Sequence, residues 1–386
     1  MPGVASGLDV LLRQGHPWLD GAHVGLLTHP AAVTGELVAA VDALHRLERC
    51  RLAALFAPEH GIRGDAQAGT PIATETDART GLPIYSLYGD IRKPTPEMLR
   101  EVDLLIVDLQ DAGVRFYTYL YSMAYVLQAA AENGVRALVL DRPAPINGET
   151  IEGPVLEPEH ASFVGLYPIP IRPGMTIGEL ARLFNDAFHI GAELDVVPMS
   201  GWQRWMWFDE TGLPWVLPSP NLPTIDSLTV YPGTCLIEGT NVSEGRGTTR
   251  PFELIGAPWI DPYELADALE ALQLPGVRFR PAWFRPMARG CKYEGDLCGG
   301  VQLHVTDRGV FRPVSAGIHL IQSIRTLYPD AFSWREQNGR YAFDRLVGNS
   351  RVRRQIERGV PAAEIVQSWR GEIEAFRELR SRFLMY

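Results

Sequence analysis

Four short, largely apolar runs that each end abruptly in polar residues constrain this chain more than anything else in it. Val24 to Thr28, Leu52 to Phe56, Asp103 to Val107 and Ala137 to Leu140 are too short for helices and too apolar for half-exposed strands. They read as strands buried on both faces, as in a parallel sheet covered by helices. Pro83 to Leu87 and Leu194 to Pro198 add two extended pieces. Helical spacing fills the gaps: Leu37 to Leu47, a short turn over Glu97 to Glu101, and Ala124 to Glu132, stopped by Asn133-Gly134. Thr176-Ile177-Gly178-Glu179 is a capping box that opens a helix running to Phe188. Strands alternating with helices imply βαβ units with right-handed crossovers, an α/β fold.

That topology gathers chemistry at one edge. Thr28, Glu59, Asp108 and Asp141 stand at or just past the carboxyl ends of the expected strands, where ligands of open α/β sheets bind. The densest polar stretch there is Pro58-Glu59-His60-Gly61-Ile62-Arg63-Gly64-Asp65, which supplies an acid, a base and an anion clamp within a few residues. A solvated connecting loop is the plainer account of the same residues. A second polar stretch runs from Glu238 to Arg250; its glycines allow close backbone approach, and Arg246 and Arg250 are able to take a carboxylate in a fork. A loop pinned by its own salt bridges is the alternative there. Trp202, Trp205, Trp207 and Trp215 offer indole faces to a sugar, though core packing explains most of such a cluster.

At 386 residues the chain is long enough for two domains. The expected division is a parallel-sheet α/β domain over residues 1–250, carrying both polar stretches, and a smaller α+β domain over 251–386. In the latter, Asp261 to Leu272, Ser315 to Tyr328 and Pro361 to Phe383 read as helices and Val301 to Val305 as a strand.

Several functional classes are excluded by composition and pattern. A net charge of −10 argues against nucleic acid as a partner. Thr28-His29-Pro30-Ala31 after the first strand lacks the glycines a dinucleotide needs, and no phosphate loop occurs, so no cofactor is expected. The four cysteines Cys50, Cys235, Cys291 and Cys298 lack metal-ligand spacing, and no metal site is expected. Asp108 and Asp111 alone fall short of the carboxylates a hard cation gathers, although a metal-dependent hydrolase built on them is one alternative. Nothing long enough to span a membrane and no signal peptide is visible, so a cytoplasmic enzyme is expected, with export left open.

The ordered run of motifs resembles the NamZ-type exo-β-N-acetylmuramidases of peptidoglycan turnover. It comprises Phe56 to Gly69, Gly81 to Gly89, Lys93 to Leu99, Asp103 to Tyr125, Asp141-Arg142-Pro143, Glu152-Gly153-Pro154, Gly174 to Ala181, Pro214 to Pro223 and Tyr231 to Pro258. The resemblance implies a Rossmann-like first domain, a smaller second domain and a cleft between them. It also implies release of terminal N-acetylmuramic acid from the non-reducing end of a peptidoglycan chain, a small carbohydrate substrate. On that resemblance Glu59 is the candidate catalytic acid, and Asp65, Asp111 or Glu244 a second carboxyl, unless the substrate's own 2-acetamido group attacks. The lactyl carboxylate of muramic acid calls for a cation, with Arg115, Arg246 and Arg250 as candidates. His60, Arg63, Asp108, Tyr117 and Asn241 complete the expected substrate contacts, and Tyr119 is either a contact or a core residue. The chain departs from the family's pattern at Thr28-His29-Pro30-Ala31 and at Arg172-Pro173. A non-catalytic muropeptide-binding protein on the same scaffold is a further alternative.

Overall fold

A computed structural model describes residues 3–62 and 75–386. Arg63 and Asp65 lie outside the described residues. The first domain is built on a seven-stranded sheet. Its strands are β1 (His23–Thr28), β2 (Arg51–Ala57), β3 (Glu75–Thr76), β4 (Pro83–Ser86), β5 (Leu104–Asp108), β6 (Arg136–Leu140) and, after a separate hairpin of β7 (Glu152–Val155) and β8 (Pro170–Arg172), β9 (Leu194–Val197). The order is β3-β4-β2-β1-β5-β6-β9, and every pairing is parallel except β3 with β4. The expected mixed α/β fold, with a mostly parallel sheet and a smaller second domain, is what the chain adopts.

Alternation along the strands explains the layering. Leu27, Phe56, Leu105, Val107 and Val139 face α3 (Tyr119–Asn133) and α4 (Ile177–Ala187), while Val24, Leu26, Ile106 and Leu138 face α1 (Gly7–Gln14) and α2 (Ala40–His45). Gly25 lets the sheet close here, because a Cβ on it would sit 2.8 Å from the Phe56 ring. Thr176 and Glu179 form the expected capping box on α4. The Ala124–Glu132 helix begins five residues earlier than periodicity suggests, at Tyr119, and the stretch expected as a turn of helix at Glu97 is a non-helical turn.

Because chain order reverses about β1, with β2 and β4 on one side and β5, β6 and β9 on the other, the carboxyl ends of β1, β2 and β5 meet at a topological switch point. The second domain centres on an antiparallel sheet β10-β12-β11, with β10 (Leu254–Ala257), β11 (Val277–Phe284) and β12 (Cys298–Val305). Helix α5 (Ile225–Thr234) packs on α7 (Pro313–Leu327), beyond α6 (Pro262–Glu270). Helices α8 (Ala342–Val347), α9 (Arg351–Glu357), α10 (Ala362–Ser368) and α11 (Arg370–Ser381) close the chain, the last two broken at Trp369 where one helix was expected. Tyr386 returns to the first domain, its hydroxyl donating to Asp141 at 2.7 Å. Among the described residues no helix is long and apolar enough to cross a membrane.

Candidate active site

Glu59 sits two residues past the end of β2. The chain turns there through two consecutive left-handed residues, His60 (φ 71) and Gly61 (φ 74). A histidine in that region is strained, which marks a turn held by its surroundings. Glu59 is half-buried, and the Thr118 hydroxyl donates to its Oε2 at 2.8 Å. Thr118 precedes α3, so the Glu59 carboxylate lies at the positive end of a fifteen-residue helix. The Tyr119 hydroxyl lies 3.1 Å from the carbonyl oxygens of both Glu59 and Pro218, and Tyr117 donates to Pro218 at 2.8 Å. Burial, with Tyr119 beside it, pushes the Tyr117 hydroxyl far above its ordinary value, so it stays protonated as a donor.

Beside this turn, His29 at the end of β1 packs edge-on against Tyr119 at 4.7 Å, and its Nε2 accepts the Gln110 backbone N–H at 2.9 Å. Burial, then Arg142 and His60, hold this imidazole well below its ordinary value, so it is neutral and its hydrogen is on Nδ1. His60 is buried in the same corner.

The remaining expected residues divide sharply. Asp108, expected as a substrate contact, is fully buried and bound in a fork by Arg142, at 2.5 Å to Nε and 2.9 Å to Nη2. Arg115, expected as a lactyl clamp, is placed as a brace. It is fully buried, and its guanidinium donates to the carbonyls of Pro154 and Ile169 at 2.9 Å and of Leu346, in α8, at 2.8 Å. Tyr117 is buried with its hydroxyl spent on Pro218, and Asn241 is spent on Ala331 and Ser333 in the second domain. Asp111 is buried and accepts the Gly113 N–H at 2.9 Å; burial, reinforced by Asp141, pushes its carboxyl up to about 7.

The Glu238 to Arg250 stretch forms a cluster of paired charges. Arg246 donates to Glu238 at 2.6 Å and approaches Glu244 at 3.4 Å, while Lys292 holds the other Glu244 oxygen at 2.9 Å. Both Glu244 oxygens are thus held by cations, which leaves it ill-suited as a nucleophile. Burial works to raise Glu238, but Arg246 beside it outweighs that and holds the carboxyl below its ordinary value. Arg250 is half-exposed and pairs with Glu253 at 3.3 Å. Arg246 stacks over Phe252, Phe252 meets Tyr231, and Tyr231 meets Phe116, next to Tyr117 in the loop that leads to Thr118. Tyr117 lies within electrostatic reach of both Tyr231 and Glu59, which links the two polar stretches. Of the four tryptophans, Trp202 and Trp207 are core and Trp215 is half-buried, whereas Trp205 is 53% exposed.

Thr118 and Lys292 are missing from the sequence expectations. Thr118 lies in an aromatic-rich run where nothing distinguishes it, and Lys292 comes from a loop of the second domain, 48 residues past its partner Glu244. No group of three or more metal-binding side chains occurs among the described residues.

Fold and site together define a two-domain α/β protein that presents a carboxylate at the switch point of its sheet, with a charged segment linked to it through aromatic contacts. Profiles of the exo-β-N-acetylmuramidase NamZ family match this chain at residues 24–226, for the N-terminal part, and at 229–386, for the C-terminal part. The chain belongs to the NamZ family. It is 53% identical over 385 residues to the peptidoglycan β-N-acetylmuramidase NamZ of Bacillus subtilis (strain 168), an alignment covering 100% of this chain and 92% of that one. Two crystal structures of DUF1343 family proteins from Bacteroides fragilis NCTC 9343 are also similar. One has a TM-score of 0.91 at 36% identity, covering 100% of both chains. The other has a TM-score of 0.77 at 32% identity, covering 99% of both.

Proposed function

We propose that this chain is an exo-acting glycoside hydrolase that releases terminal N-acetylmuramic acid from the non-reducing end of peptidoglycan fragments. The observation that carries the reading is Glu59, half-buried at the end of β2 with the Thr118 hydroxyl on its carboxylate. The 53% identity to a peptidoglycan β-N-acetylmuramidase supports a hydrolase over a binding protein or a metal-dependent enzyme on the same scaffold.

In this reading Glu59 protonates the leaving glycosidic oxygen, and Thr118 fixes the carboxyl rotamer by donating to one oxygen. With Glu244 held by two cations and Asp111 buried, the attack on the anomeric carbon falls to Asp65, six residues along the chain, or to the substrate's 2-acetamido oxygen. Arg246 and Arg250, part-exposed, are the cations offered to the lactyl carboxylate. The packing of α5 on α7 supports a domain junction ahead of α5, whereas the sequence predicts one at residue 250. All four cysteines are free thiols, which suits action in the cytoplasm.

Incubating the protein with N-acetylmuramyl-N-acetylglucosamine and resolving the products tests the proposal. Equimolar free N-acetylmuramic acid and N-acetylglucosamine is the expected outcome. Tight binding without cleavage, or activity lost to a chelator, would replace the reading with one of its rivals.

A further inference from the structure

The chain draws its positive charge almost wholly from arginine: among 36 Lys and Arg residues, only Lys93 and Lys292 are lysines. Lys93 pairs with Glu132 at the surface. Lys292 is different. It sits in the connection from β11 to β12 with its side chain only 16% exposed, and its amine donates to the carbonyls of Ile237 at 3.0 Å and Val242 at 2.7 Å and to Glu244 Oε2 at 2.9 Å. Three acceptors around one point match the three donors of an ammonium group. A planar guanidinium spreads its donors in a fork, a poorer match to three acceptors gathered around one point.

Charge balance adds an independent observation. Glu244 lies between Lys292 and Arg246, and Arg246 lies between Glu244 and Glu238. With Lys292 present, two cations meet two carboxylates. Without it, Arg246 alone faces both carboxylates and the cluster carries an uncompensated negative charge. Arg335, which reaches the Glu238 carbonyl at 3.4 Å, is exposed, and its charge is weakened by solvent.

We infer that Lys292 is a positioning residue that sets the charge of the Glu238–Arg246 wall, and so governs preference for a sugar bearing a carboxylate over its neutral counterpart. The inference rests on the proposed N-acetylmuramidase reading and deepens it. Lys292 acts through Glu244 and Arg246: it takes up the Glu244 charge, which leaves the Arg246 guanidinium able to receive the lactyl carboxylate.

The test compares a chromogenic muramide carrying a free lactyl carboxylate with its methyl ester, as the ratio of kcat/KM for acid over ester. Lys292→Met should lower that ratio about tenfold, the size of one uncompensated charge at a partly screened site, chiefly through KM for the acid. Glu244→Gln should move it the other way, because the wall then gains positive charge, and the double variant Glu244→Gln/Lys292→Met should return toward the wild-type ratio. A purely structural lysine would depress acid and ester alike, with no sign reversal and no recovery. The inference is overturned if folded Lys292→Met keeps the ratio within about twofold of wild type, or if Glu244→Gln abolishes turnover of both substrates. Where Lys292→Met does not fold, an unchanged ratio in Glu244→Gln overturns it equally. Wild-type protein that cleaves neither substrate refutes the N-acetylmuramidase reading itself, whereas cleavage with unshifted ratios refutes only the role of Lys292.

Discussion

Arg115→Met separates a brace from a substrate clamp. The guanidinium is fully buried and makes three hydrogen bonds to carbonyls, of Pro154, Ile169 and Leu346. Gly348, in the left-handed region at φ 87, leaves room for it, since a Cβ there would sit 2.7 Å from Nη2. Hydrogen bonds from a charged donor contribute about 1.5–3 kcal/mol each, so three give about 5–9 kcal/mol. Against that stands desolvation, which lowers this guanidinium to about 10, at a cost of about 3 kcal/mol. Methionine fills much of the volume but leaves three carbonyls without their donor. The net expectation is a loss of about 2–6 kcal/mol. Guanidinium chloride unfolding followed by tryptophan fluorescence reads it, alongside kinetics on the muramide and its methyl ester. Turnover of both substrates should fall together, with their ratio unchanged. A variant as stable as wild type that discriminates selectively against the free carboxylate would refute the brace and restore Arg115 as a clamp.

Other variants probe the acid and its setting. Glu59→Gln should lower kcat on a chromogenic muramide by about 10²–10⁴-fold while leaving the fold intact by circular dichroism, and near wild-type release would remove Glu59 as proton donor. Thr118→Val should cost about tenfold in kcat with little change in KM, since it removes one hydrogen bond to the Glu59 carboxylate and leaves the sugar contacts in place. Asp108→Asn should destabilise by about 3–5 kcal/mol in chemical unfolding, because it leaves Arg142 charged and buried without its fork partner. Asp111 carries a pH signature. Its carboxyl is raised from 3.8 to about 7 in the fold, so between those values the native state holds the proton more tightly than the unfolded chain. Its contribution to stability is therefore complete below about pH 4 and lost as pH rises to 7. In Asp111→Asn that loss should vanish, so unfolding midpoints of variant relative to wild type should improve from pH 5 to pH 8; a constant difference would contradict the shift.

The parallel sheet and its polar edge are legible in the chain because burial on both faces forces each strand into a nearly unbroken apolar run. Leu52 to Phe56 and Leu104 to Val107 have no other soluble use at that length. Less legible is the fate of polar groups once they reach that edge. Asp108 looks like Glu59 in sequence, a carboxylate just after a buried strand. Only the structure shows that Arg142, 34 residues on, occupies its two oxygens. Arg115 is the same lesson in positive charge: its acceptors are backbone carbonyls, which every residue carries, so no side-chain pattern announces them. Helix α5 escapes periodicity because Pro232 lies within it and it is buried all round from Ser227 onward, which erases the polar face that helical spacing depends on. The break at Trp369 is equally silent in the chain, since both flanking segments are strongly helical on their own.

The loop from Asp111 to Thr118 explains why so few residues carry the site. It is irregular rather than helical or extended, so successive side chains leave it in different directions. Arg115 turns toward Leu346 in the second domain, Phe116 meets Tyr231, Tyr117 reaches Pro218, and Thr118 reaches Glu59. Four consecutive residues thus bind four separate parts of the molecule. A shift of the second domain that slackens Arg115 on Leu346 has only three residues in which to dissipate before it reaches the Thr118 hydroxyl. Packed interiors deform little over such distances, so the expected route from domain docking to the site runs through the Thr118 hydrogen bond to Glu59. Separating the domains should therefore abolish turnover even where the first domain keeps its sheet, because Glu59 would lose the oriented hydroxyl that the docked loop supplies. An isolated first domain that still cleaved the muramide would show that Thr118 holds its place without the brace, and would confine the second domain to substrate selection.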